Sequence, residues 1–262
     1  MENREIHSVV VVGSGNVAES IAIAVGECPV LELRQVVARN AERAAQVAQL
    51  AGTAWCGDLS EAARADLYII AVSDRAVGEV AAALRRAEDS VVVHTAGSVE
   101  RGVLGDRQTG VLYPFQTFTA GRRVDFSAVP LFIEGVDEAT TAAIERVAKT
   151  LSRRVYRASS AQRREVHLTG VLACNFVNAL YAMAADRLEE CACLPFDVLR
   201  PLIAQTARKA TEADHPRCVQ TGPAVRGDFS VAERHEAMLR TEREKEIYKL
   251  LTEYIWETSK RI

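Results

Sequence analysis

Between Val9 and Tyr156, short runs of Val, Ile and Leu alternate with stretches whose apolar residues recur at helical spacing. The runs predict strands at Val9–Val12, Leu33–Ala38, Thr53–Cys56, Leu67–Val72, Val91–His94, Val129–Ile133 and Arg154–Tyr156. Helices are predicted between them at Val17–Val25, Glu42–Leu50, Leu59–Arg64, Ala76–Leu84 and Glu138–Leu151. Strand–helix alternation implies right-handed crossovers and a parallel sheet. The strands are nearly continuous apolar runs, as expected when helices cover both faces.

From Ser159 onward the strand signals stop. A helix without proline is predicted from Ser160 to Cys193, opened by a Ser159-x-x-Gln162 capping box, and between Val166 and Leu188 it is apolar on almost every face. Such a helix must be covered by neighbouring helices, by the first domain or by a second subunit. Pro195 and Pro201 break the following segments, and a Pro- and Gly-containing loop covers His215 to Asp228. Two further capping boxes, Ser230-x-x-Glu233 and Thr241-x-x-Glu244, predict two closing helices. The reading is an α/β fold: a doubly wound parallel sheet over residues 1–158, then an all-α C-terminal domain over residues 159–262.

The 262 residues, 48% of them hydrophobic, suffice for buried cores in both parts. A net charge of -3 with scattered Lys and Arg argues against nucleic acid or an anionic membrane surface as partner. The opening residues lack a signal-peptide pattern, and no uninterrupted apolar run approaches a membrane span, so a cytoplasmic protein is expected. The six cysteines form no C-x-x-C pair, and with no ligand set of metal spacing they read as free thiols rather than a metal site.

Candidate chemistry begins where the first strand meets its helix. Gly13-Ser14-Gly15-Asn16-Val17-Ala18 is a G-x-G-x-x-A turn, with Gly13 for the sharp bend, Gly15 for close approach to phosphate and Ala18 for tight helix–strand packing. A dinucleotide's diphosphate would lie against the free N–H groups of the helix. An acidic residue at the end of the second strand would select NAD, but here the sequence is Arg39-Asn40, with Arg43 one turn further on, which favours the 2′-phosphate of NADP. Ser73 and Asp74 end a later strand, where they either line the nicotinamide ribose or cap the next helix.

His94, followed by Thr95-Ala96-Gly97-Ser98, is either a proton donor beside a planar ring or a packed strand-end imidazole, and Ser98 is a candidate substrate contact. In the long helix His167 and Asn178 share a face, about 16 Å apart along the axis, with Asn175 about 60 to 80° around from them. They suit either a substrate or helix–helix hydrogen bonds. Arg226, in Thr221–Asp228, either grips a substrate acid or pairs with Asp228. Tyr113-Pro114-Phe115-Gln116-Thr117-Phe118 either walls a pocket or fixes a connection.

As a set, the glycine turn, Arg39-Asn40, His94 to Ser98, Tyr113 to Thr117, the Leu168-Thr169-Gly170 to Asn175-Phe176-Val177-Asn178 helix and Gln220 to Asp228 resemble the Rossmann-like NADP oxidoreductases with a helical C-terminal domain of unknown function. These are similar to pyrroline-5-carboxylate reductase and to deazaflavin-dependent NADP oxidoreductase, and more distantly to β-hydroxyacid dehydrogenases. The resemblance implies a Rossmann-type nucleotide-binding domain, a helical dimerisation domain and a cleft between them, with Gly13, Gly15, Asn16, Val17, Arg39 and Asn40 at cofactor positions. Relatives among the hydroxyacid dehydrogenases carry a catalytic Lys early in the long helix, where this chain has His167.

The leading expectation is an NADP-dependent oxidoreductase for a small C=O or C=N substrate. His94 or His167 would donate the proton, Asn175 would bind the acceptor group, and Ser98, Asn178 and Arg226 would contact substrate. A homodimer through the helical domain goes with it. The rival is an NADP-binding sensor or docking protein without turnover.

Overall fold

The computed structural model describes residues 5–260. Eight strands, β1 (Ser8–Val12), β2 (Glu32–Val37), β3 (Ala54–Cys56), β4 (Leu67–Ile70), β5 (Val91–His94), β6 (Thr109–Pro114), β7 (Leu131–Gly135) and β8 (Val155–Arg157), form one sheet in the order β3-β2-β1-β4-β5-β6-β7-β8. All neighbours are parallel except β6 and β7. The chain builds outward from β1 to β3, then returns to β4 on the other side of β1. That reversal makes a switch point beyond the carboxyl ends of β1 and β4, where open sheets of this kind bind ligands.

Strand register sharpens this edge. Val12 lies opposite both Val37 and Ile70, and Ile70 lies opposite His94, so β1, β2, β4 and β5 end abreast. Alternation along the strands splits the core in two. Val9, Val11, Leu67, Ile69, Val91 and Val93 face helices α1 (Asn16–Gly26) and α4 (Glu138–Leu151), while Val10, Val12, Tyr68, Ile70 and Val92 build the opposite face. Most of these side chains are completely buried, each worth roughly 1.5–3 kcal/mol relative to exposure.

Helices α2 (Ala41–Ala51) and α3 (Val77–Ala83) complete the covering. Two local expectations differ from what forms. Leu59–Arg64 yields only one 3-10 turn, Leu59–Glu61. Thr109–Pro114, where the apolar pattern predicts no strand, is β6. Gly110 sits in it because a Cβ would lie 2.3 Å from the Glu134 carbonyl oxygen and 2.4 Å from the Ile144 side chain, and Pro114 closes it.

After β8 every element is helical. The long helix consists of α5 (Ser160–Gly170), one π turn (Val171–Phe176) and α6 (Val177–Ala192). Both halves of the Ser159/Gln162 capping box form. Arg163, 1% exposed, pairs with Glu134 of β7 at 2.5 Å and donates to the Val99 carbonyl, while Ser160 Oγ donates to Glu134 at 2.7 Å. Breaking a buried pair of this type costs about 3–5 kcal/mol, so the start of α5 is fixed to the sheet. By length and apolar composition Ser160–Ala192 would suffice to cross a membrane, a property that scattered polar residues hide from a search for uninterrupted apolar runs.

The chain divides into two compact units, Met1–Asn178 and Ala179–Ile262. Beyond α6 the second contains α7 (Arg200–Glu212), α8 (Pro223–Arg226), α9 (Phe229–Met238) and α10 (Glu242–Ser259). The Thr241/Glu244 capping box forms at α10, but Asp228 rather than Ser230 caps α9. All six cysteines are free, and the described residues hold no cluster of metal-ligating side chains.

Candidate functional site

The glycine turn is built by backbone constraints. Gly13 has φ +128°, and a Cβ there would lie 2.2 Å from the Ala71 carbonyl oxygen, so no other residue fits between β1 and β4. Its N–H donates to the Val37 carbonyl (2.8 Å), tying the turn to β2. At Gly15 a Cβ would meet nothing within 4 Å. Gly15 caps α1 without a side-chain hydrogen bond, so the first-turn N–H groups face open space. This is a fitting cradle for a diphosphate.

Two depressions share Gly13, Ser14, Val72 and Ser73. One, of about 350 Å³, is bounded by Ala38, Arg39, Asn40, Gly57 and Leu59. Arg39 is exposed there and makes no hydrogen bond or ion pair among the described residues. Asn40 Oδ1 accepts from Arg43 N (3.0 Å) as the α2 cap, which leaves the Asn40 amide N–H₂ available. Arg43, in contrast, is engaged: Nε donates to the Ser14 carbonyl (3.2 Å) and Nη2 to buried Glu19. Glu19 also accepts from Gly121 N (3.3 Å), and Asn16 Nδ2 donates to the Phe118 carbonyl (3.1 Å). Helix α2 and the loop after β6 are thereby fastened to the cradle.

The second depression, about 500 Å³, runs from Gly13–Val17 past Ser73 and Asp74 to Thr95–Gly97, Tyr113 and His167. Ser73 makes no side-chain cap bond, and Asp74 accepts from Ser98 Oγ, so neither acts as a helix cap. At the far end the Tyr113 hydroxyl lies 3.0 Å from His167 Nδ1, their rings edge to face at 6.0 Å. Gly97 makes this meeting possible: a Cβ there would lie 2.6 Å from His167 Nδ1 and 2.9 Å from Tyr113 Cζ. Burial, with the Asp74 charge adding to it, pushes the Tyr113 phenol up to about 12, so it keeps its proton.

The sequence candidates separate here. His167 and Asn175 come together around a third, contiguous cavity with Tyr113, Phe115 and Gln116. His94 is completely buried and lines none of these cavities; its Nδ1 accepts from Ala96 N (3.2 Å) and its Nε2 has no partner among the described residues. Burial, then the nearby Arg163 charge, holds its pKa down at about 4, so the ring is neutral at neutral pH. Asn178 is exposed on α6. Arg226 belongs to the second unit and is exposed, and Asp228 caps α9 instead of pairing with it.

From sequence Tyr113 is only wall or connection. Its place at the carboxyl edge depends on β6, whose Gly and Pro hide the strand. Gly97 promises room for a planar ring; the rings filling that room are the protein's own.

Residues 8–97 fit the family described as NADP oxidoreductase coenzyme F420-dependent, and residues 129–255 fit a domain of unknown function, DUF2520. A protein from Bacteroides fragilis assigned as an NADP oxidoreductase is 38% identical, with a TM-score of 0.85 over 98% of this chain and 100% of its own. The chain belongs to that family of NADP oxidoreductases. The fold is shared more widely: a Thermotoga maritima protein is 21% identical with a TM-score of 0.75, covering 97% of this chain and 98% of its own. A pyrroline-5-carboxylate reductase from Coxiella burnetii is 14% identical with a TM-score of 0.58, covering 98% of both chains. No curated protein matches the chain.

Proposed function

We propose that the protein is an NADP-dependent oxidoreductase moving hydride between the nicotinamide and a small C=O or C=N group. Residues 1–158 would form its NADP-binding domain and residues 159–262 its substrate and dimerisation domain, the first part of the long helix, through Asn178, being counted in the compact unit of the sheet. The observation that carries this reading is the Tyr113–His167 pair, held at 3.0 Å at one end of the cleft whose other end is the glycine turn.

Gly13, Ser14, Gly15 and the N–H groups of Asn16 and Val17 would hold the diphosphate. Arg39 and the Asn40 amide would take the 2′-phosphate, and Ser73 and Asp74 would border the nicotinamide ribose. When bound, NADPH supplies the hydride. The Tyr113 O–H would then donate to the acceptor's oxygen or nitrogen as charge develops on it, and His167 would relay a solvent proton back to the phenolate, taking it up at Nε2 as Nδ1 gives one to the phenolate oxygen. Asn175 hydrogen-bonds the acceptor, while Ser98 fixes the Asp74 carboxylate. His94 is neutral and enclosed in the sheet, away from the cleft, and is not the proton donor.

Leu168, Leu172 and Phe176 follow one another at four-residue spacing and are 51%, 53% and 55% exposed. A second copy covering this stripe would satisfy the helix's apolar character, which supports the homodimer.

Fluorescence titration with NADPH and NADH, followed by oxidation of bound NADPH with ketones, imines and a deazaflavin, tests the reading. Tighter NADPH binding and oxidation by at least one acceptor are expected. No binding at millimolar nucleotide overturns the cofactor assignment; binding with no oxidation by any acceptor favours a sensor.

A further inference from the structure

The cavity of about 260 Å³ beside the Tyr113–His167 pair is bounded by Phe115, Thr117, Gly170, Val171, Cys174 and Asn175 as well as the pair itself. It shares Tyr113, Gln116 and His167 with the cleft, so a molecule lying in it reaches the phenol at one end. Two features of the helix open it. Gly170 lies against Phe115, where a Cβ would stand 2.6 Å from the ring. The π turn Val171–Phe176 follows directly. One such turn takes up one extra residue, about 100° of helical twist. In a regular α-helix His167 and Asn175 diverge by about 80°. The wide turn removes that divergence, and both line the same cavity.

The lining defines what fits. Tyr113 and Phe115, packed edge to face with centroids 6.2 Å apart, line it together with Val171 and Thr117. Asn175 and the Gln116 amide N–H₂ supply uncharged hydrogen-bonding groups, while the Gln116 Oε1 accepts from Thr117 N (2.8 Å) and Thr117 Oγ1 (3.3 Å). Neither Lys nor Arg lines this cavity or the cleft, and the charged group at the cleft is Asp74, a carboxylate. The cavity is open on the side of Gln116, Thr117, Cys174 and Asn175, which are exposed, and there a carboxylate or phosphate on the acceptor would meet no counter-ion and the like charge of Asp74 across the cleft, whereas a neutral carbonyl, amide or hydroxyl finds partners. The volume is just below the ~300–1,000 Å³ of drug-sized sites, enough for one small ring with short substituents.

We infer that the cavity formed by Phe115, Thr117, Gly170, Val171 and Asn175 is the acceptor subsite and that it takes an uncharged cyclic ketone or imine. The inference rests on the oxidoreductase reading above. Its location, however, can be tested without turnover.

The full chain, loaded with NADP⁺, is examined by saturation-transfer NMR with cyclohexanone and with its ring carboxylate. Kinetics with NADPH compare the same pair, and pyrroline against pyrroline carboxylate. Cyclohexanone signals that vanish in Val171→Trp, with NADPH affinity unchanged within about threefold as the control for folding, support the assignment. So does a kcat/KM at least about 10-fold higher for the uncharged member of each pair. Asn175→Leu gives a second reading that does not enlarge the side chain, and should raise KM for cyclohexanone about 10-fold. Cyclohexanone binding that survives both variants, or stronger binding and turnover of the carboxylates, overturns the inference. Binding that is lost in Val171→Trp while no acceptor oxidises NADPH overturns the redox reading and leaves the cavity assignment in place.

Discussion

The two ends of the cleft are made of different materials. The proposed diphosphate cradle is built from consecutive residues, Gly13 to Val17, which would act through backbone N–H groups and the absence of side chains. The proposed acceptor end is built from two side chains that meet from distant places, the end of β6 and the third turn of α5, in the space that Gly97 leaves after β5. A backbone site tolerates many sequences between its glycines. A side-chain site fails with the loss of one atom, because no neighbouring residue can substitute for a phenol at a fixed point.

The largest test of that contrast is Tyr113→Phe. Removing one oxygen should lower turnover about 1,000-fold while NADPH affinity, measured by fluorescence, stays within about threefold. A variant that keeps its rate would place the proton elsewhere and erase the contrast. Buried His94 is predicted to act on stability instead. Its imidazole, normally near 6.5, is held at about 4 in the folded protein by burial, with Arg163 adding to the shift and Asp74 and Glu134 opposing it. As pH falls from 6.5 toward 4 the unfolded chain takes a proton that the folded one refuses, so unfolding free energy should drop by about 3 kcal/mol over that window. Urea melts at several pH values would measure it. His94→Gln should flatten the slope, and an unchanged slope would assign the acid sensitivity to other groups.

Gly97→Ala should fall next, with turnover reduced about 100-fold and cofactor binding retained, since the methyl displaces the Tyr113–His167 pair without reaching the glycine turn. Loss of both functions together would mean that the two ends are mechanically one. The smallest effect is assigned to Arg39→Ala, an exposed cation at the rim. The ratio of NADPH to NADH affinity should fall about 10-fold. A constant ratio would move the 2′-phosphate away from β2.

How much can be read from the chain follows the same division. The strands β1, β4 and β5 declare themselves as apolar runs, and the glycine turn announces its neighbours because its constraint is local. The Ser159/Gln162 cap is legible for the same reason, and Arg39 and Asn40 are proposed as phosphate ligands from their place after β2. Tyr113 is not, since β6 contains Gly110 for a close approach to Glu134 and ends in Pro114, both of which read as turn residues when the partner strand is unknown. A regular helical wheel points His167 and Asn175 in different directions; only the π turn, which propensity does not reveal, turns them to one side. Arg43 looks like a phosphate ligand until folding supplies Glu19, 24 residues away, as its partner. Pairings across long separations carry no periodic trace.

Gly97 has a consequence for comparing whole genomes. Two aromatic rings already occupy the volume of its missing methyl, so a lineage that retains the tyrosine–histidine couple in this geometry needs glycine there, while one that has lost the couple is released from the constraint. A larger residue at that position therefore marks a relative in which the pair, and with it the proposed proton path, cannot sit as it does here.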